Sequence, residues 1–196
     1  MRVSHVLMVM LNAVYACSAA EWIPWTDSAG VTHEYTLLPD GQFWEDAAAS
    51  AAALTSDQAG LFPGEQAYLV AINTPEEQAF VGSVAAGLVC WIGAYQDRSA
   101  PDYWEPGGGW RWVSGEPWSY TNWLPGEPNN LHWAGEDWVD ILPYSSYPTG
   151  YGWNDRNTEE GYLGGNRGVV ERVPEPSALA LLLLAVGLLR PCRTGG

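Results

Sequence analysis

The stretch Trp123-Leu124-Pro125-Gly126-Glu127-Pro128-Asn129-Asn130, answered downstream by Glu136-Asp137 and then by Trp153-Asn154-Asp155, constrains this chain more than any other feature. It places carboxylates and carboxamides in three short segments rich in Gly and Pro. Such segments are loops, because Pro, Gly, Asn and Asp each favour turns for their own steric or hydrogen-bonding reason. Their side chains supply neutral and anionic oxygens, the ligands that a hard cation such as calcium prefers. A calcium ion whose oxygen shell is left partly open can accept hydroxyls from a sugar. The chain therefore reads first as a calcium-dependent binding protein.

Charge points the same way. The 196 residues carry 8 basic and 23 acidic side chains, a net charge of −15. All the basic residues are Arg. Nucleic acid and anionic membrane are excluded as partners at that balance, since their binders neutralise phosphates with Lys and Arg. Cations and neutral ligands are favoured, and the charge also keeps an exported protein soluble.

Both ends read as processing signals. Residues 1–20 run from Arg2 through the apolar Val6-Leu7-Met8-Val9-Met10-Leu11 to Ser18-Ala19-Ala20, the charged, apolar, small-residue order of a secretory signal peptide. A lipoprotein signal ending at Cys17 is the competing reading. Residues 173–196 begin Val173-Pro174-Glu175-Pro176, continue through the apolar Ala178–Leu189, and close on Arg190-Pro191-Cys192-Arg193. The apolar run is shorter than the roughly 20 residues a spanning helix needs. The tail nonetheless resembles the PEP-CTERM sorting signal of Gram-negative bacteria. That resemblance implies a transmembrane helix that anchors the chain transiently in the inner membrane, an exosortase that removes it, and a destination outside the cell or on its outer surface. Residues 21–172 remain as one domain of ordinary size. Of the three cysteines only Cys90 lies within it, so no internal disulfide is available and packing must supply the stability. Twelve Trp provide a large aromatic supply for such a core.

The domain opens with alternating elements. Gly30 to Leu38 suits a strand, and Phe43-Trp44-Glu45-Asp46 opens an alanine-rich helix to Leu54. Tyr68 to Ile72 is a short apolar strand. Thr74, Pro75 and Glu77 then form a helix start, with Thr74 as cap, Pro75 at the first helical position and Glu77 closing a capping box. That helix stops near Gly87, and Leu88 to Ala94 is another buried strand. From Tyr95 to Gly152 the chain is dominated by Gly, Pro, Trp, Tyr and Asp, with short alternating strands only at 110–113 and 137–141. A final strand covers 168–171. A long loop region inside a compact domain is usually functional.

This order, with Trp44-Glu45-Asp46-Ala47, Leu69-Val70-Ala71-Ile72-Asn73, Trp91-Ile92-Gly93, Trp110-Arg111-Trp112, Gly115-Glu116-Pro117, Glu127-Pro128-Asn129-Asn130, Glu136-Asp137 and Trp153-Asn154-Asp155, resembles the C-type lectin-like family over residues 25–172. The resemblance implies an α+β fold, two helices on small antiparallel sheets with a long calcium-binding loop region. It also implies a ligand set. Glu127 and Asn129 would flank a cis Pro128, Glu136 would be the third side-chain ligand, and Asn154 and Asp155 the fourth and fifth. The same five side chains would hydrogen-bond the hydroxyls of a bound saccharide. Glu-Pro-Asn resembles the mannose-type arrangement. Asn130, Glu136 and Asp137 resemble part of an auxiliary calcium site, with Asp97 and Asp102 both open as its upstream acids. Where vertebrate members carry disulfides, this chain has Ala51 opposite Val170 and Trp138 opposite Thr158. The segment between Asn130 and Glu136 is one residue longer than the common spacing.

Three function classes follow. The first is an exported lectin holding an exopolysaccharide or cell-surface glycan through calcium. The second is an adhesion or matrix module holding protein through the same loops, with calcium structural or absent. The third is an enzyme. Paired acids such as Glu127 and Glu136 are the raw material of glycoside hydrolysis, yet no nucleophile–base pattern accompanies them, and the chain is read as a non-enzyme. Trp91, Trp112 and Trp153 are assigned to the core. His132 and Trp133 are placed in the loop, where they either stack on a sugar or face solvent.

Overall fold

Ten regular elements occur among residues 21–54, 66–157 and 166–174, the part of the chain that this computed structural model describes. In order they are β1 (Ile23–Thr26), β2 (Thr32–Leu37), α1 (Trp44–Ala53), β3 (Tyr68–Leu69), α2 (Pro75–Ala85), β4 (Cys90–Gln96), β5 (Trp110–Trp112), β6 (Trp138–Pro143), β7 (Tyr151–Arg156) and β8 (Arg167–Arg172). The two expected helices are present. In α2, Thr74 caps the first turn by accepting from the Glu77 amide at 3.1 Å, with Pro75 behind it. The Glu77 carboxylate reaches one residue beyond the capping box, to the Asn73 amide at 2.8 Å. Its other oxygen takes the Tyr35 hydroxyl at 2.8 Å. The helix stops at Ala86, in the left-handed region with φ 51°, followed by Gly87 at φ 87°.

The strands form a path β1-β2-β8-β4-β6-β7, with β3 added against β8 and β5 against β4. The expected antiparallel sheets prove to be one mixed sheet. Strand β8 lies antiparallel to β2 but parallel to β4, with Cys90 opposite Arg167 and Trp91 opposite Gly168. The last strand thus ties the first half of the domain to the loop-bearing half. Gly93 explains why Trp91-Ile92-Gly93 ends in glycine. A Cβ there would stand 2.2 Å from the Leu69 carbonyl oxygen, so only glycine lets β4 approach that segment. The Gly93 amide donates to Val70 at 2.8 Å.

Two apolar clusters fill the domain. Trp110, Trp112 and Trp153 are buried in the larger one, with Trp118, Tyr120 and Trp123 packed against it. Trp44 and Trp91 belong to the smaller one, together with Ala51 and Val170. The indole N–H groups are tied as well: Trp44 to the Ile92 carbonyl and Trp91 to the Gln42 carbonyl, each at 2.8 Å. Cys90 is buried and free, and burial pushes its thiol up to about 12, which leaves it a small core residue.

A polar seam pins the first hairpin. His33 on β2 meets the Glu171 carboxylate of β8 at 2.7 Å, and the second Glu171 oxygen takes the Ala71 amide at 3.1 Å. Glu77 joins them; the ligand atoms of His33, Glu77 and Glu171 lie within 4.8 Å of one another.

The membrane-spanning helix expected from the tail is not supported. No helix among the described residues is long and apolar enough to cross a membrane. Ala178–Leu189, on which that expectation rested, falls outside the described residues, as does the signal segment 1–20.

Candidate functional site

The long connection between β5 and β6 is drawn onto the edge strand β7 by its own backbone. The Leu124 amide donates to Trp153 at 2.8 Å and the Trp153 amide donates to Asn122 at 2.9 Å, a short parallel bridge at Trp123 and Trp153. Beneath it the Trp153 ring is fully buried, with its indole N–H on Gln78 at 2.6 Å. The chain then turns at Gly126, with φ 95°, and passes through a cis peptide between Glu127 and Pro128. Residues 127–130 arrive beside Asn154 and Asp155.

Asp155 organises this turn. It is 1% exposed, and its carboxylate takes the Asn129 amide at 2.9 and 3.0 Å and the Asn130 amide at 2.8 Å. The Leu131 amide donates to Glu136 at 2.7 Å and to the Asn129 carboxamide oxygen at 2.9 Å. The Glu136 amide donates to the Asn130 side chain at 2.9 Å. The longer segment between Asn130 and Glu136 therefore does not hold Glu136 away. On β7, the Asn154 side chain donates to the Asp155 carbonyl at 2.7 Å. Glu127, Asn129, Glu136 and Asp155 are thus gathered in one place, with Asn154 next to Asp155 on β7 and backbone amides fixing three of the group.

The electrostatics of this group are one-sided. Burial pushes the Glu127 carboxyl up to about 7, and the neighbouring carboxylates of Asp155, Glu136 and Asp140 push in the same direction. One Glu127 oxygen is buried with no hydrogen-bond partner. Crowded carboxylates raise each other's pKa because like charges resist ionising together. A cation would relieve that repulsion and complete the shell of the orphaned oxygen. The donors are oxygens throughout: three carboxylates and two carboxamides. Hard oxygen sets of this kind suit calcium, which takes about 6–8 ligands. The residues present fit the ion.

The residues expected at an auxiliary ion have partners of their own. Asp137 pairs with Arg98 at 2.9 Å, and the Asn130 carboxamide oxygen is taken by the Glu136 amide. Asp97 holds the Ser99 amide and hydroxyl at 2.8 and 2.6 Å, and Asp102 pairs with Arg111. At the rim, Leu131 and Trp133 are 82% and 87% exposed, with His132 against the Trp133 ring at 5.4 Å. Tyr151 is buried and its hydroxyl accepts from the Gly87 amide, whereas Tyr144 and Tyr147 form an edge-on pair away from the core.

One residue of the site carried no sequence signal. Asp140 on β6 is fully buried and stands opposite Asn154 in the β6–β7 register. It takes Arg156 at 2.6 Å and Asn166 at 3.0 Å. Burial pushes its carboxyl up to about 6 against the pull of those partners and of Asn154. Alternation places it on a strand face without saying what that face meets.

Comparison with known proteins agrees with this architecture. The family model described as "Lectin C-type domain" matches residues 63–160. Mouse C-type lectin domain family 10 member A is 34% identical over 93 residues, 46% of this chain and 27% of that protein. Rat asialoglycoprotein receptor 1 is 32% identical over 93 residues, covering 29% of its length. A type-2 ice-structuring protein from Brachyopsis segaliensis is 34% identical over 64 residues and 33% of its length. The chain thus spans a third or less of these curated relatives. Among solved structures, the C-type lectin CEL-I from Cucumaria echinata superimposes with a TM-score of 0.58 at 21% identity, covering 79% of this chain and 96% of that one. The carbohydrate-recognition domain of cow CD23, solved in the presence of a GlcNAc2Man3 oligosaccharide, gives 0.55 at 25% identity, covering 79% and 94%. With its family model spanning half its length and its fold shared with solved members, the chain belongs to the C-type lectin domain family.

Proposed function

We propose that this protein is an exported, calcium-dependent carbohydrate-binding protein, and that Glu127, Asn129, Glu136, Asn154 and Asp155 hold both ion and saccharide. The observation that carries the reading is the three-carboxylate group around Glu127, with its raised carboxyl and its orphaned buried oxygen. Calcium would supply a Lewis-acidic centre with room for two vicinal hydroxyls beside the protein oxygens. The protein's own part is to hold the ring of acceptors in place. Asp155 fixes the 129–130 backbone, and the Leu131 amide orients Glu136 and Asn129. The carboxylates accept from sugar hydroxyls while the carboxamides both accept and donate. Glu-Pro-Asn points to a mannose-type hydroxyl pair. The relatives named for lectins and a carbohydrate-recognition domain support the ligand class.

A column bearing mannose tests this. The full chain is expected to be retained in millimolar calcium and released by a chelator or by free mannose. Retention that ignores the chelator, or release by galactose alone, would refute the calcium or the mannose part respectively. The exposed Leu131 and Trp133 favour a second reading, an adhesion module that holds protein through the same rim. In that case no free monosaccharide would compete.

A further inference from the structure

Resting on that calcium reading, we infer that Asp140 is the positioning residue for Asn154: its unpartnered buried oxygen is the acceptor for the second N–H of the Asn154 carboxamide, which leaves the carboxamide oxygen to face the ion. Three observations meet here. Asp140 and Asn154 are directly opposed across β6 and β7, which puts both side chains on one face within reach of each other. Asp140 is 0% exposed; Arg156 and Asn166 both bond to its Oδ2, and its Oδ1 is buried with no hydrogen-bond partner. The Asn154 Nδ2 group, for its part, donates to the Asp155 carbonyl at 2.7 Å.

The assignment follows from donor and acceptor counting. A carboxamide has one acceptor oxygen and two N–H donors, and only the oxygen can face a cation. One Asn154 N–H is on the Asp155 carbonyl, and the second would need an acceptor for Oδ1 to be held toward an ion. The vacant Oδ1 of Asp140 lies across the strand pair on the same face. Asp140 would thereby fix which end of the carboxamide faces the ion. Arg156 and Asn166 hold Asp140 from the other side, so its carboxylate is ready before calcium arrives. Outer partners of metal ligands commonly govern affinity in this way.

The test is the calcium dissociation constant of the full chain by calorimetry, with thermal unfolding run beside it. D140N keeps the shape; its one remaining oxygen is held by the Arg156 and Asn166 donors, so an NH2 group replaces the acceptor on the Asn154 side, and calcium is expected to bind about 10–100-fold more weakly. N166A removes a different partner of the same carboxylate; it should lower the unfolding temperature and leave calcium affinity within about threefold of the parent. The double exchange D140N/N154D swaps carboxylate and carboxamide at conserved charge, and should recover most of the affinity lost in D140N. Parent-like affinity in D140N overturns the inference, as does equal weakening in D140N and N166A. If D140N fails to fold, the double exchange decides alone: near-parent affinity supports the role and loss of calcium binding overturns it. If the parent chain itself binds no calcium, the calcium reading has failed and this inference falls with it, a result distinct from every one above.

Discussion

Asp155→Ala is the substitution through which the site and the fold can be weighed together. The carboxylate holds two backbone amides, those of Asn129 and Asn130, and is 1% exposed. A hydrogen bond to a charged group is worth about 1.5–3 kcal/mol, so two give a gross loss of about 3–6 kcal/mol. Part is returned, because Asp155 also adds to the repulsion that raises Glu127. A net cost of about 2–4 kcal/mol remains, which lowers the unfolding temperature of a domain this size by about 5–15 °C. The pH dependence gives a second reading. Glu127 has a folded pKa of about 7 against an ordinary 4.5. The folded state then holds more protons than the unfolded one between those values, so stability without calcium falls as pH rises through that window. Removing Asp155 should flatten the fall. Differential scanning fluorimetry in chelator at pH 5 and pH 8, on parent and variant, measures both quantities. An unchanged unfolding temperature together with an unchanged pH slope would refute the assignment of Asp155 as the organiser of the turn. Loss of all calcium response is expected in the same variant.

Two further predictions concern the frame. Gly93→Ala forces a Cβ toward the Leu69 carbonyl oxygen and should cost about 1–3 kcal/mol or more in denaturant unfolding; an unaffected midpoint would contradict the close approach. His33→Ala leaves Glu171 buried without its 2.7 Å partner and should destabilise the domain by about 3 kcal/mol at neutral pH. The hydrogen bond to Glu171 raises His33 above 6.5, and burial raises Glu171 to about 7 although its bond to His33 pulls the other way, so both groups bind more protons in the folded state. Their stabilisation is full at acid pH and is lost as pH rises through these folded values. In chelator the parent should therefore melt higher near pH 5 than near pH 8; an equal or lower melt near pH 5 would contradict it.

Much of this was legible in the sequence, for reasons that differ by element. The α2 start was readable because Thr74 and Pro75 act within one turn. The loop residues were readable because Glu127-Pro128-Asn129 and Trp153-Asn154-Asp155 carry ligand chemistry in a few adjacent positions. Strand β1 was not, since Ile23-Pro24-Trp25-Thr26 contains a proline and is mostly exposed; it survives as an edge strand paired only with β2. The strand expected through Ile72 shortens to Tyr68–Leu69, because the Val70 amide and carbonyl bond to Val169 and Gly93 without regular pairing. The parallel contact of β4 with β8 joins residues more than 70 positions apart and leaves no local trace. Asp140 and the His33–Glu77–Glu171 seam were invisible for the same reason: an isolated Asp, His or Glu in a strand or helix pattern reads as a solvated position until the fold buries it. The helix expected to cross a membrane rested on twelve residues where about 20 are needed.

Calcium itself is the most direct test of the account. The full chain should be unfolded thermally in a chelator and again with calcium at about 100 times its dissociation constant, where binding to the folded state alone adds about 2.7 kcal/mol. The account predicts a rise in unfolding temperature of about 5–10 °C, increasing with calcium concentration. Superimposable melting curves with and without calcium would contradict it, leaving a lectin fold whose acidic loop holds no ion.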